Sequence, residues 1–109
     1  MAKVIFGKSI QDVNHKFRVS IDKNGVCKVF HRWVDNMSMK QTINEFHSEN
    51  EEYTDDVCSF IYEAIAHEKL MNESVEIQGV FANRSFAKAF KSFVKKFKLP
   101  ISVIIEENL

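Results

Sequence analysis

Glycine, proline and cysteine are scarce in this chain, at three, one and two residues among 109. So few glycines and a single proline exclude a flexible linker, a collagen-like segment and a proline-rich tail. The two cysteines, Cys27 and Cys58, are too few for a disulfide framework and form neither a CxxC pair nor a zinc quartet. A reduced thiol pair in the cytoplasm is the simplest expectation. No apolar run approaches the ~18 residues of a membrane span, and the opening MAKVIFGKSIQDV is too short and too polar for a signal peptide. No phosphate-binding GxxxxGK, dinucleotide GxGxxG, nucleophile GxSxG or zinc HExxH motif is present. Net charge is also absent: 15 basic and 15 acidic residues cancel. Neither a strongly basic nucleic-acid binder nor an acidic DNA mimic follows from composition.

What is present suits one globular domain spanning residues 1–109, with 45% hydrophobic and 28% charged residues and ten phenylalanines to build a core. Such a chain buries about two thirds of its unfolded surface on folding. The zero charge is a sum of unlike blocks. Residues 1–44 carry +5, residues 45–76 carry −9, residues 77–105 carry +6 with no acid among them, and Glu106 and Glu107 add the closing −2. Segregation along the chain can become a dipolar surface that steers a charged partner. The plainer alternative is an acidic helix lying beside a basic one.

Lys3–Lys8 reads as a short opening strand. From Lys16 to Val34 the signal is a hairpin, with Asp22-Lys23-Asn24-Gly25 as a turn closed by a left-handed glycine. That turn sets Ile21 opposite Cys27, Val19 opposite Val29 and Phe17 opposite His31. Phe17, Val19, Ile21, Cys27, Val29 and Trp33 then share one face. Lys16, Arg18, Ser20, Lys28, Phe30 and Arg32 share the other, and a slip by one residue would exchange the two. Residues 35–53 are poorly legible: MSMKQTINEF suits a short helix or an edge strand, and SENEEY a solvated acidic loop. Thr54-Asp55-Asp56 opens a helix that runs on through Met71, with Val57, Phe60, Ile61, Ala64 and Ile65 as its core stripe. Val75–Phe81 is a strand. Asn83 or Ser85 caps a second helix, whose stripe is Phe86, Phe90, Phe93, Val94 and Phe97 and which Pro100 ends. Ile101–Ile105 is a continuous apolar run, as expected of a strand covered on both faces.

The expected fold is therefore α+β with a mixed sheet, in the order β-β-β-α-β-α-β: an antiparallel three-strand meander plus a βαβ unit, with helices over at least one face. In outline this order resembles the ribonuclease H-like fold over nearly the whole chain. Nucleases of that family hold divalent metal with carboxylates on the first strand, in the first helix and near the end of the fourth strand. Here the first strand offers Val4, Ile5 and Phe6, and the fourth ends in Val80-Phe81-Ala82-Asn83. The resemblance thus implies the fold without the metal site.

Chemistry has few footholds. His15, His31 and Cys27 fall near one another on the hairpin but lack a metal-ligand signature on a face expected to be apolar. Cys27 or Cys58 could be paired with a histidine as a nucleophile, yet nothing fixes such a pair, and a buried cysteine behaves as a small hydrophobe. Glu49, Glu51, Glu52, Asp55 and Asp56 do not match a calcium loop. No enzyme activity, metal or cofactor is expected.

Two surfaces remain. The basic second helix carries Arg84, Lys88, Lys91, Lys95 and Lys98, and its N-terminus follows directly on a strand. The outer hairpin face places Arg18, Lys28 and Arg32 around Phe30, which are the ingredients of single-stranded nucleic-acid binding. The leading expectation is a small non-enzymatic regulator or inhibitor that docks on a protein partner through the acidic stretch (Glu49, Glu51, Glu52, Asp55, Asp56) and the basic helix (Lys91, Lys95, Lys98). Its Lys-, Phe-, Ile- and Asn-rich composition suits an accessory protein of a phage or mobile element. The alternative is a nucleic-acid binder using Arg18, Lys28, Phe30, Arg32, Arg84 and Lys88. A homo-oligomer, formed by an uncovered edge strand or by the unlike charge blocks, is a further option.

Overall fold

A computed structural model of the chain describes residues 2–7, 15–21, 26–35, 37–47, 53–67, 70–78 and 84–107. These form six strands and two helices: β1 (Ala2–Phe6), β2 (His15–Ile21), β3 (Val26–Asp35), β4 (Ser38–His47), α1 (Tyr53–His67), β5 (Ser74–Gln78), α2 (Arg84–Lys96) and β6 (Ile101–Ile105). The fold is α+β, with one mixed sheet in the order β4-β3-β2-β5-β1-β6. β2, β3 and β4 make the antiparallel meander; β5 lies parallel to both β2 and β1, and β1 parallel to β6.

The β2–β3 register is the one that the hydrophobic pattern demands: Phe17 faces His31, Val19 faces Val29 and Ile21 faces Cys27. The turn proposed for Asp22–Gly25 lies outside the described residues. One detail differs from the sequence expectation, and one alternative that it left open, helix or edge strand for the segment after β3, is resolved. The meander is made of β2, β3 and β4, and β1 sits between β5 and β6, inside the βαβ unit formed by β5, α2 and β6. Because β1 and β2 both run parallel to β5, no tight hairpin can join them. Residues 38–47 form an edge strand, joined to β3 across two residues. Met37 there has φ 65°, a left-handed conformation that glycine or asparagine usually signals. Asp35-Asn36 is turn chemistry by composition, but Met37 does not signal its left-handed backbone, and with nearly every side chain of β4 exposed the strand shows no alternation.

Following the register across the sheet, Phe6, Ile77, Phe17 and His31 lie in one row, and Cys27 and Phe46 lie on the same face. α2 packs on that face through Phe86 and Phe90, whose rings meet Phe6 edge-on at 5.9 and 5.4 Å. α1 packs there too, with Phe60 against Phe46 at 5.6 Å. Val57, Cys58, Ile61 and Ile65 of α1 and Phe86, Ala87, Phe90 and Val94 of α2 are buried in this single core. Burying each such large side chain contributes roughly 1.5–3 kcal/mol.

Both helices thus cover one face, and no described helix covers the other. Three details depart from the sequence reading, the first of them because only one face is covered. The run Ile101–Ile105 is an edge strand covered on one face only, which leaves Ile104 41% exposed on the open side. Phe97 falls past the end of α2 and is 53% exposed. α1 ends at His67, where helix continuation to Met71 was expected, and the Leu70 N–H closes back on the Ile65 carbonyl at 2.9 Å.

Candidate functional site

The open face is built from the side chains that the pleat turns away from the core. Two cross-strand rows run over it. One is Ile104, Ile5, Glu76, Lys16, Arg32 and Gln41; the next is Gln78, Arg18, Phe30 and Ile43. Where the rows adjoin, Lys16, Arg18, Phe30, Arg32, Gln41 and Gln78 line a concavity of about 190 Å³. The Arg18 guanidinium lies over the Phe30 ring, 4.8 Å from its centroid, a cation–π arrangement that holds both planes in place. Arg18 and Arg32 are exposed; Lys16, Lys28, Phe30 and Gln78 are half-buried. Glu76 is 2% exposed beside Lys16, and Gln78 donates to its Oε1.

The concavity therefore offers three cations, two amide side chains and a partly exposed aromatic ring. Cations suit phosphate or carboxylate oxygens, amides suit the polar edges of a base or a backbone, and the ring offers a stacking plane. Of the residues singled out from sequence, Arg18, Phe30 and Arg32 come together here, with Lys28 one row away opposite Glu45. Lys16, Gln41 and Gln78 complete the site but are not among the residues singled out. The parity of β5 would have found Gln78; Gln41 sits in the strand that shows no alternation of burial.

The other candidates are dispersed. Glu49, Glu51 and Glu52 lie outside the described residues. Asp55 and Asp56 occupy the first turn of α1, where a helix dipole favours acids without any ligand. Lys88, Lys91 and Lys95 are exposed on α2, and so lie on the opposite side of the sheet from Arg18 and Arg32. Arg84, the first residue of α2, donates from Nη2 to the Glu107 carbonyl at 3.3 Å. Lys98 has φ 51° and closes the end of α2: its N–H bonds the Lys95 carbonyl while the Leu99 N–H bonds the Val94 carbonyl. That is a left-handed helix cap, normally a glycine position. The residues of the nucleic-acid alternative thus divide between the two sides, with Arg18, Lys28, Phe30 and Arg32 on one and Arg84 and Lys88 on the other.

The helix side holds a second concavity, between α1 and the β3–β4 strands, floored by Trp33 and walled by Phe60 and Ala64. His31, 3% exposed, is stacked between Phe17 at 4.2 Å and Trp33 at 4.5 Å. Burial, and next the nearby His15, push its pKa down to about 4, so it is neutral at physiological pH. The His15 and His31 rings are 5.8 Å apart, yet no group of three His, Cys, Asp or Glu side chains among the described residues could hold a metal ion. Burial, and next Asp55, raise the Cys58 thiol to about 12. A thiol so rarely ionised is a packing group.

Among the described residues no helix is long and apolar enough to cross a membrane. Compared with protein-family models, curated proteins and solved structures, the chain shows no significant match to any of them.

Proposed function

We propose that this protein is a non-catalytic binding module whose open sheet face takes a single-stranded nucleic acid. The observation that carries this reading is the convergence of Lys16, Arg18 and Arg32 with the Phe30 ring and two amides in one concavity, on a face that no described helix covers. A strand laid across the sheet pairs its phosphates with the cations and stacks a base on Phe30. Each stacked base is worth roughly 1–3 kcal/mol and each phosphate contact adds a salt-dependent share. The buried thiols Cys27 and Cys58 fit a reducing compartment, and we place the protein in the cytoplasm.

The test is fluorescence anisotropy with labelled single-stranded DNA and RNA and the matching duplexes, across a salt series. Single strands are expected to bind more tightly than duplexes, with log affinity falling by about 0.7 per phosphate neutralised for each decade of salt. Phe30→Ala is expected to weaken binding about tenfold, and Arg18→Glu with Arg32→Glu to abolish it at physiological salt. No binding at low salt, or binding untouched by the double reversal, overturns the proposal.

A second reading, that the chain is a regulator docking on a larger acidic protein, is favoured by α2. Its solvent side presents Arg84, Lys88, Lys91 and Lys95, and the helix contains no acid.

A further inference from the structure

β4 is ten residues long, lies at the edge of the sheet and pairs with β3 without interruption from Ser38 to His47. Natural edge strands are usually guarded by shortness, proline, a bulge or inward-pointing charge. β4 has no proline, its register contains no bulge, and its charged residues are Lys40 and Glu45. The opposite edge, β6, is half as long and follows Pro100. Met39 is 65% and Ile43 53% exposed, on the open face.

The connection to β3 decides which backbone groups of β4 are available. Asp35 and Ser38 are opposite one another across two residues, the closing hydrogen-bonded pair of a two-residue hairpin. Antiparallel ladders alternate, so even-numbered residues of β4 turn their N–H and C=O groups to β3. Met39, Gln41, Ile43, Glu45 and His47 present theirs to the outside.

We propose that this edge pairs with a second copy of the same chain, antiparallel, about a two-fold axis through Ile43. A two-fold perpendicular to the sheet keeps both open faces on one side and opposes residues of equal parity. About Ile43, each Ile43 meets its counterpart, Gln41 meets Glu45 of the second copy, and Met39 meets His47. The row on the open face becomes Arg18, Phe30, Ile43 and then the same residues in reverse. Apolar side chains meet across the axis, and the Gln41 amide donates to the Glu45 carboxylate. The two Lys40 side chains stand about 20 Å apart. An axis at Thr42 would set Met39 against Glu45 and Gln41 against Ile43. An axis at Gln41 would pair only Ser38–Asn44, whereas Ile43 pairs Met39–His47. The Ile43 register alone combines length with like-to-like contact. The result is one continuous sheet with two basic concavities on a common face.

The test is sedimentation of the full chain from low-micromolar to sub-millimolar concentration. The unsubstituted protein is expected to reach twice its 12.7 kDa mass. Ile43→Lys sets like charges opposite each other, and Gln41→Pro removes an outward N–H while leaving the β3 ladder intact. Each is expected to raise the dissociation constant at least tenfold, with circular dichroism and the melting curve verifying the fold. Ile43→Cys, treated with copper–phenanthroline as oxidant, is expected to give a disulfide-linked dimer, since paired Cα atoms lie about 5.5 Å apart. Gln41→Cys and the unsubstituted chain should not cross-link. A monomer at all concentrations overturns the proposal, as does a dimer indifferent to both Ile43→Lys and Gln41→Pro. Cross-linking through Gln41→Cys in place of Ile43→Cys overturns the register.

Discussion

His31 shows how a single residue ties packing to solution behaviour. Its ring completes a stack between Phe17 and Trp33, and burial holds its pKa near 4 against an ordinary value of 6.5. Between those values the unfolded chain takes up a proton that the folded chain refuses, so stability falls as pH drops from 6.5 towards 4. Above 6.5 neither state binds the proton and the penalty vanishes. The full difference is up to about 3 kcal/mol. His31→Phe keeps the stack and removes the proton site. Urea unfolding of both proteins across this pH window should show a steep loss for the parent and a shallower one for the variant. Equal slopes would mean that acid sensitivity does not arise at His31. Cys58 makes the complementary point: the sequence left a nucleophile conceivable, and burial makes that thiol a core side chain.

At the scale of elements, two left-handed residues mark where the chain turns without glycine. Lys98 caps α2 at φ 51° and Met37 sits at the β3–β4 connection at φ 65°. Each conformation costs a residue bearing a Cβ about 1–2 kcal/mol, while glycine returns about 0.4–1 kcal/mol of that through unfolded-chain entropy. Met37 is 99% exposed and Lys98 is exposed, so neither loses packing on substitution. Met37→Gly and Lys98→Gly are each expected to stabilise by about 0.5–1 kcal/mol, a rise in melting temperature of about 2–6 °C. Calorimetry showing no rise for either would contradict the strain. Lys98 was a partner-binding candidate on charge alone; in the fold its backbone serves to end a helix. The same substitutions explain legibility. A glycine at either position would have marked the left-handed residue itself, whereas Pro100 announced only that α2 ends nearby and Asp35-Asn36 only that a turn was available.

For the whole molecule, the decisive geometry is that both helices pack on one face of the sheet. Lys88, Lys91 and Lys95 are therefore separated from Arg18 and Arg32 by a sheet and a helix about 10 Å across, more than the ~8 Å screening length at physiological salt. Reversing Lys88, Lys91 and Lys95 to Glu together is expected to change oligonucleotide affinity less than twofold at that salt. Reversing Arg18 and Arg32 should abolish it. A large loss from the helix reversal would show that nucleic acid uses the helix side. Capture of an acidic protein that the helix reversal alone disrupts would instead favour the regulatory reading.

The sequence by itself determined what depends on local chemistry and on the period of its apolar residues. It contained the β2–β3 register down to the pairing of Phe17 with His31, the core stripes of α1 and, apart from Phe97, of α2, the segregated charge and the α+β class. Arg18, Phe30 and Arg32 were already on one face because a pleat alternates. Tertiary structure decided what depends on contacts between distant segments. It put β1 between β5 and β6, left Ile104 exposed at an edge, and brought Gln41 and Gln78 to the basic residues. It also set the two basic surfaces back to back. Strand order and the choice of covered face arise from which elements bury one another's apolar sides, and that is a property of the assembled core. No window of sequence contains both partners of such a contact.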